Sequence, residues 1–309
     1  MKTNKEEDYK DLGFGTKVTG NSRLINKNGR FTVHRKGQNF IKSLHIYDRL
    51  INLNWFTFLV LVISSYAIVN FLFAAVYYLI GPDKLLGIVA HSEKERFLEC
   101  FYFSAQTITT VGYGRISPIG YMGSSIAALE SLIGLLGFAI ATGLLYGRFS
   151  KARADVMYSK IGVIAPYREI KGLMFRLASE KKTQLIELEV SVSMVRNIIR
   201  NGQKSREFLS LNLERSKINF LALSWTIVHP IDDESPLKNY DAQKMKEENV
   251  EFLVLLKAFH DSFGQTVYSR TSYTFDEINW GEKFSPIVSI DDDGTPILEI
   301  DKLSNTATA

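Results

Sequence analysis

The feature that most constrains this chain is an uncharged run of 26 residues, Trp55–Ile80. At a rise of about 1.5 Å per residue, a helix of this length crosses a hydrocarbon layer of roughly 30 Å. The run lies too far from the N-terminus for a signal peptide and is too long for an ordinary core helix. A second apolar run, residues 120–147, contains one charge, Glu130. The sequence therefore predicts two transmembrane helices.

Positive charge collects beside the apolar runs. Residues 1–54 contain eleven Lys and Arg against five acidic residues, and Arg148, Lys151 and Arg153 follow the second run directly. Because Lys and Arg are enriched in loops that stay in the cytoplasm, the sequence predicts cytoplasmic termini. Segment 81–119, which has balanced charge, is then outside or re-entrant.

Between the two runs lies a string rich in glycine and threonine, TTVGYG at residues 109–114. Exposed backbone at membrane depth is costly unless it lines a protein-enclosed or water-filled path. Gly112 and Gly114 permit backbone angles closed to other residues, so consecutive carbonyl groups can point toward one axis. The preceding residues, ERFLECFYFSAQTITT, predict a short helix that leads into the string.

Four copies of this string would stack rings of carbonyl oxygens, with the Thr110 hydroxyl adding a lower ring. Such rings can replace the hydration shell of K⁺, and Thr-Val-Gly-Tyr-Gly is the filter string of potassium channels. One chain cannot close a ring, so the sequence predicts a homotetramer that binds K⁺ as permeant ion and needs no other cofactor. The predicted filter residues are Thr110, Val111, Gly112, Tyr113 and Gly114.

The segments outside the spans carry weaker patterns. In NKNGRFTVHRKG, residues 26–37, Asn28-Gly29 predicts a turn and the alternation of Phe31 and Val33 predicts a short strand. Residues 43–54 place apolar side chains largely on one helical face, which fits a helix in the membrane interface; an ordinary cytosolic helix is the alternative.

After residue 155 the apolar pattern changes to period two. In QLIELEVSVSMV, residues 184–195, the apolar residues from Ile186 to Met194 alternate with polar ones, which indicates one buried and one solvated face. Further runs at 220–228, 250–259, 264–275 and 296–300, with one brief helical candidate at 238–249, predict a β-sandwich of about 150 residues.

The chain resembles the inward-rectifier (Kir) potassium channels, especially their prokaryotic members, from about residue 23 onward. The specific stretches are LALSWTIVHPIDDESPL (221–237) and SRTSYTFDEINWGEKFSPI (269–287), together with the 26–37 string. The resemblance implies an N-terminal segment (1–42), an interfacial slide helix (43–54), a two-span pore domain of outer helix, pore helix, selectivity filter and inner helix (55–148), and a cytoplasmic immunoglobulin-like β-sandwich (149–309). The absence of cysteines flanking the pore loop favours a bacterial inner membrane.

The resemblance also implies roles for residues of the inner helix. Phe138 matches a cavity-facing position, and Tyr146 matches the bundle crossing, where four tyrosines could exclude water; for Tyr146 an interface anchor is the alternative. Gly134 and Gly143 fall where the family has glycines, and either a bend or close helix packing explains them.

Glu130 is the one formal charge inside the second span. An intramembrane carboxylate is costly, and such residues are functional and paired by default. We therefore expect Glu130 to support the filter from behind, with Gln106 or a filter-region hydroxyl or amide as partner; packing in a protonated state is the alternative.

Charged positions outside the spans imply regulation. Lys257 replaces an acid usual in the cytoplasmic pore lining, whereas Glu187 keeps its acid, so with Phe138 apolar we expect weak rectification by polyamine or Mg²⁺ blockers. Anionic lipids would be attracted by juxtamembrane cations, with topology alone as the alternative, and the sign of lipid control is not readable. The residues that match or adjoin the family's lipid contacts are Arg49, Arg148, Lys151, Arg153, Lys181 and Lys182.

Other function classes fit less well. A potassium channel of another gating class, opened by a cytosolic ligand, is the main alternative, but no G-x-G-x-x-G nucleotide turn follows residue 148. A potassium transporter subunit would contain four pore-loop units in one chain, and this sequence contains one. A membrane-anchored β-sandwich protein for adhesion or sensing would not require the Thr-Val-Gly-Tyr-Gly string. The sequence shows no Walker loop or clustered Cys and His set, so neither an enzyme nor a nucleic-acid partner is predicted.

Overall fold

The computed structural model describes residues 12–15, 23–33, 46–180, 185–200 and 202–309. Its contacts divide the chain into two compact units. Residues 37–151 form one, which we call the helical unit, and residues 1–36 with 152–309 form the other, which we call the β unit. Of the N-terminal segment, the described residues 12–15 and 23–33 belong to the β unit.

The helical unit contains four α-helices, a short 3₁₀ helix at Pro82–Lys84 and one pair of two-residue strands among its described residues. Two of the helices, α2 and α4, are long and apolar enough to cross a membrane by length and composition. The elements are α1 (Ile46–Asn52), α2 (Trp55–Ile80), β1 (Leu85–Leu86), α3 (Glu93–Ile108), β2 (Ser117–Pro118) and α4 (Gly120–Phe149).

Side-chain caps set the ends of these helices. Asn54 has extended backbone angles, and its Oδ1 accepts a 2.7 Å hydrogen bond from Thr57 N. Asn54 is therefore the N-cap of α2, and helix α1 ends before it, at Asn52 rather than at the predicted residue 54. Helix α3 begins after Ser92, whose hydroxyl accepts from Glu95 N at 3.3 Å, while the Glu95 carboxylate accepts from His91 N at 2.7 Å.

The β unit is a sandwich of two five-stranded sheets. One has the order β11-β10-β6-β7 with β8 beside β6, and the other the order β12-β4-β5-β3 with β9 beside β5. Its elements are β3 (Val156–Tyr158), β4 (Gly162–Tyr167), β5 (Ile170–Ser179), β6 (Leu185–Arg200), β7 (Gln203–Leu211), β8 (Lys217–Phe220), β9 (Ser224–Ile231), α5 (Ala242–Glu247), β10 (Glu251–His260), β11 (Gln265–Thr274), β12 (Ile278–Trp280), β13 (Glu282–Phe284), β14 (Val288–Ile290), β15 (Pro296–Leu298) and β16 (Thr306–Thr308).

The core between the two sheets confirms the period-two pattern over most of β6. Leu188, Val190, Val192 and Met194 are buried there against residues of β5, β9 and β10. The pattern fails at the start of the strand, where Leu185 is buried instead of Ile186. The pairing of β6 with β10 shifts register at this point, and a one-residue shift exchanges the two faces of a strand.

The N-terminal residues form a hairpin that docks on the β unit. The turn at Asn28-Gly29 is confirmed, with Gly29 at φ 75°, but the expected strand is reduced to one bridge between Ile25 and Phe31. The hairpin is fixed by two carboxylates. Glu251 accepts from Leu24 N at 2.8 Å, and Glu277 pairs with Arg23 at 2.9 Å and Lys27 at 3.0 Å.

Candidate functional site

The backbone after α3 alternates in handedness. Thr110, Gly112 and Gly114 have φ values of 58°, 56° and 81°, whereas Val111 and Tyr113 between them lie outside the left-handed region. A β-branched residue with positive φ is strained, so Thr110 needs support from its surroundings. This alternation lets successive carbonyl oxygens point to the same side of the strand.

Gln106 supplies much of that support from the last turns of α3. Its main-chain oxygen accepts from Val111 N at 3.0 Å and Gly112 N at 3.2 Å. Its side-chain Oε1 accepts from Tyr113 N at 3.2 Å. The amide hydrogens of three consecutive filter residues are thus bonded on the Gln106 side of the strand, which leaves their carbonyl oxygens free of these contacts.

Glu130 lies in a fully buried polar cluster that joins three helices. Tyr77 of α2 donates a 2.6 Å hydrogen bond to Glu130 Oε2, and Ser104 of α3 donates to Oε1. The Ser104 hydroxyl also lies 3.1 Å from Asn70 Oδ1 of α2. All four side chains are 0% exposed.

Of the partners predicted for Glu130, Gln106 does not contact it, whereas a hydroxyl of the helix before the filter, that of Ser104, does. The Gln106 amide is used by the filter strand, and Ser104 is the residue of α3 that reaches Glu130. Sequence reasoning did not assign Asn70, Tyr77 and Ser104. Asn70, as an amide inside an otherwise apolar span, was the signal that could have found this cluster.

The two inner-helix glycines have different surroundings. A Cβ at Gly134 would lie 2.0 Å from the main-chain oxygen of Ile108, so this glycine allows α4 to pack against the end of α3. Around Gly143, apart from its chain neighbours and the adjacent backbone of α4, no heavy atom of the described residues lies within 4 Å of the Cβ position. Close packing therefore explains Gly134, and a bend remains the prediction for Gly143. Phe138 and Tyr146 are each 74% exposed.

The filter strand is uncovered on the side away from α3. Tyr113 is 83% exposed and Val111 54% exposed, and residues 109–115 are all in the exposed class. Arg115, which follows the filter, forms a 2.5 Å ion pair with Glu99 of α3. The charge of Arg115 is therefore paired within the chain.

Glu187 and Lys257 line one groove on the β unit, together with Glu189 and Lys217. Lys217 pairs with Glu189 at 3.2 Å. Glu187 has φ 50° at the start of β6, where the register with β10 shifts, so the bulge sets the direction of its side chain. Sequence reasoning did not assign Glu189 and Lys217 to this groove.

The basic residues near the spans divide into two groups. Arg49 and Arg153 are exposed, whereas Arg148 and Lys151 contact α1 and the residue after it through hydrogen bonds. Lys181 and Lys182 lie outside the described residues. Within the described ranges, no group of three or more His, Cys, Asp or Glu side chains could hold a metal ion.

His229 is buried in the β unit. Its Nδ1 lies 2.6 Å from Asn212 O and its Nε2 2.8 Å from Ser235 Oγ. Burial lowers the pKa of this imidazole, although the contact with Asn212 O opposes the shift. A neutral ring with both nitrogens bonded fits a structural role.

Comparison with known proteins settles the family. The model for the inward rectifier potassium channel C-terminal domain matches residues 156–309, and an ion-channel model matches residues 54–151. The chain is 35% identical over 288 residues to the inward rectifier potassium channel Kirbac3.1 of Paramagnetospirillum magnetotacticum, which covers 92% of this chain and 96% of that protein. The chain belongs to the inward rectifier potassium channel family.

More distant relatives of the inward rectifier family extend to animals. An inward rectifier potassium channel of Caenorhabditis elegans is 27% identical over 301 residues, covering 89% of this chain and 54% of that protein. The G protein-activated inward rectifier potassium channel 3 of Mus musculus is 24% identical over 298 residues, covering 88% and 75%. The predicted inward-rectifier family and its two-span and β-domain architecture are confirmed, the resemblance to prokaryotic members is borne out by the match to Kirbac3.1, and the chain is a membrane protein of an ion-channel family.

Proposed function

We propose that four copies of this chain form a potassium channel in which Thr110 to Tyr113 supply the carbonyl oxygens that replace the hydration shell of K⁺. The observation that carries the proposal is the alternation of backbone handedness at Thr110, Gly112 and Gly114, held by three amide hydrogen bonds to Gln106. Because these amide groups bond to Gln106 on one side of the filter segment, the carbonyl groups are favoured to point to the other side. K⁺ is the permeant ion, and no further cofactor is required.

The uncovered surfaces of the helical unit support the tetramer. The filter face is exposed in one chain, as are Phe138 and Tyr146 on α4. Around a fourfold axis the filter strands would face one another and the α4 helices would line a cavity. Tyr146 would then be the gate, and Gly143, with space around it, would be the point where α4 bends.

The glutamate cluster gives the filter a rigid support. Glu130 joins α2 and α3 to α4, and Gly134 lets α4 contact the carbonyl of Ile108 just before the filter. Buried polar groups that are fully hydrogen-bonded restrict a structure to one arrangement. The hydrogen bonds of Glu130 would therefore fix the position of α3 along α4. Gln106 then transfers that position to residues 111–113.

Charge in the β unit supports weak rectification. Lys257 and Lys217 lie in the same groove as Glu187 and Glu189, so the acids that would attract a polycation are balanced. With Phe138 apolar, few anionic rings remain for polyamines or Mg²⁺. We expect the current to depend only weakly on voltage in the presence of these blockers.

The chain would lie in a bacterial inner membrane with both termini in the cytoplasm. Arg49 and Arg153 are exposed and would attract anionic lipid head groups by about 1 kcal/mol each. Lys181 and Lys182 are proposed as further contacts from the family resemblance alone. Lipids would then bias the gate.

Flux into liposomes tests the proposal. Purified protein in liposomes of defined anionic-lipid content should take up rubidium, barium should block the uptake, and sodium should not compete. Thr110→Val should lose or weaken this selectivity because it removes the hydroxyl ring while keeping the side-chain shape, and Thr110→Ser should keep it. Uptake that barium leaves unchanged, or that is equal for sodium, contradicts the proposal.

A further inference from the structure

Arg148, in the last turn of α4, donates hydrogen bonds to three main-chain oxygens. Its Nη1 lies 2.8 Å from Leu50 O and 3.0 Å from Ile51 O, and its Nη2 lies 2.7 Å from Leu53 O. These oxygens belong to the end of α1 and the residues just after it. The last carbonyls of a helix have no partner within the helix, so Arg148 supplies the missing donors.

Aromatic rings cover the same guanidinium. Its central carbon lies 4.7 Å from the ring centre of Trp55 and 4.5 Å from that of Phe58, at the start of α2. Its Nε is buried and has no acceptor among the described residues. The ring faces and the carbonyls together enclose the charged group. Arg148 is half-buried, and its guanidinium is occupied by these contacts within the chain.

Two further residues of the α4 end contact α1. A Cβ at Gly147 would lie 2.8 Å from Tyr47 Oη and 3.0 Å from Ile51 Cδ1, so the glycine leaves room for the α1 side chains. Lys151 Nζ donates a 2.6 Å hydrogen bond to Asn52 Oδ1. The helices α1 and α4 therefore meet over one turn of α4.

We infer that Arg148 is a positioning residue that locks α1 to the end of α4, so that the two helices move together, and that it is not a lipid contact. The inference rests on the proposed function, because it places the lock two residues from the gate residue Tyr146. A movement of α1 along the membrane surface would be transmitted to Tyr146 through the three hydrogen bonds that Arg148 donates to main-chain oxygens of residues 50, 51 and 53.

Arginine and lysine at this position separate the lock from a lipid contact. A lipid contact needs the positive charge, which lysine keeps. The lock needs a planar group with several donors in fixed directions, which can bond three carbonyls and stack on rings, and lysine lacks this shape. Arg148→Lys should therefore behave like Arg148→Gln if Arg148 is the lock.

Hydrogen exchange of the full-length protein in nanodiscs tests the lock without requiring conduction. In peptides that cover residues 46–54, both Arg148→Lys and Arg148→Gln should speed amide exchange by about tenfold or more, because each charged hydrogen bond contributes at least that factor. Lys151→Gln should have a smaller effect. Trp55→Leu keeps the charge and the carbonyls, and should give an intermediate increase even if the Arg148 variants fail to assemble.

Rubidium uptake against anionic-lipid content provides the second readout. The lock predicts that Arg148→Lys shifts the lipid dependence as far as Arg148→Gln does. Wild-type exchange and wild-type lipid dependence in Arg148→Lys, with both altered in Arg148→Gln, would overturn the lock in favour of a charge contact. Unchanged exchange in both variants would also overturn it. A chain that fails to take up rubidium but shows the predicted exchange loses the proposed function and keeps the lock.

Discussion

The helical unit and the β unit differ in where their large apolar side chains lie. In the β unit the centre is apolar, with Phe175, Met194 and Phe252 each at most 1% exposed between two sheets. In the helical unit Leu79 is 82% and Tyr121 95% exposed, while Asn70 and Glu130 are fully buried. The β unit closes a large apolar core within one chain, whereas the helical unit buries a small apolar cluster beside Asn70 and Glu130 and leaves most of its large apolar side chains exposed.

The difference follows from the solvent that each unit meets. In water, burying apolar area stabilises the β unit by about 25 cal/mol per Å². A lipid tail is as apolar as leucine, so the helices gain little from hiding leucine and associate through packing and polar contacts. In the helical unit the Glu130 cluster supplies such polar contacts between three helices, next to a small apolar cluster that includes Tyr77 and Phe103.

Filter glycine substitution should have the largest effect. Gly112→Ala puts a Cβ on a residue at φ 56°, and the strain should abolish barium-sensitive rubidium uptake. Gly294→Ala is the matched control because Gly294 also has positive φ, 78°, but lies in a turn of the β unit. It should leave uptake unchanged. The contrast between the units would be contradicted if both variants lost uptake equally, or if both kept it.

Cavity creation should strongly destabilise the β unit. Phe252 is 0% exposed and its ring centre lies 6.0 Å from that of Phe175. We expect Phe252→Ala to lower the free energy of unfolding by about 3–5 kcal/mol. Chemical denaturation followed by tryptophan fluorescence measures this loss. Phe220→Ala, at a 73% exposed position, is the control and should change stability little.

In the polar cluster of the helical unit, replacing a buried polar side chain by an apolar one should lower stability. Glu130→Leu leaves the buried Tyr77 hydroxyl without its acceptor, which costs about 1–3 kcal/mol, whereas Ser104 keeps Asn70 Oδ1 as an acceptor. Glu130→Gln keeps an acceptor oxygen and should cost less. Thermal dissociation of the detergent-solubilised assembly compares the two variants. A leucine variant as stable as wild type would remove the contrast with the apolar core.

Loss of the ion pairs that hold the N-terminal hairpin should have the smallest effect on stability, and this effect should depend on pH. Burial opposes ionisation of Glu277, but hydrogen bonds from Arg23 and Lys27 outweigh it and hold the carboxyl pKa below its usual range. We call the ion pairs of Glu277 with Arg23 and Lys27 the clamp of the hairpin. The stability that the clamp contributes is therefore fully present above the ordinary glutamate pKa, and is lost as pH falls through the lowered pKa.

Proteolysis of the N-terminal segment measures this clamp. Acid should increase cleavage within residues 23–33 of the wild type, and Glu277→Gln should show increased cleavage already at neutral pH. Asp292→Asn, in an exposed turn of the β unit, is the control and should not change it. Cleavage that does not depend on pH in the wild type would contradict the assigned role of Glu277.

Patterns local in sequence predicted most of the fold. The charge-free run became α2 with the same limits, and the alternation in residues 188–194 became the buried face of β6. The partners of Glu130 were missed because they depend on which faces of three helices meet. The docking of Arg23 on Glu277 spans 254 residues, and no local pattern encodes it. The bulge at Glu187 was missed because a register shift depends on the partner strand.

Anomalous scattering from rubidium or thallium in crystals of the full assembly tests the central claim most directly. We predict four chains around one axis, with a column of cation peaks on that axis opposite the carbonyl oxygens of Thr110, Val111, Gly112 and Tyr113. An axis without cation peaks at these residues, or an assembly of another number of chains, would contradict the account.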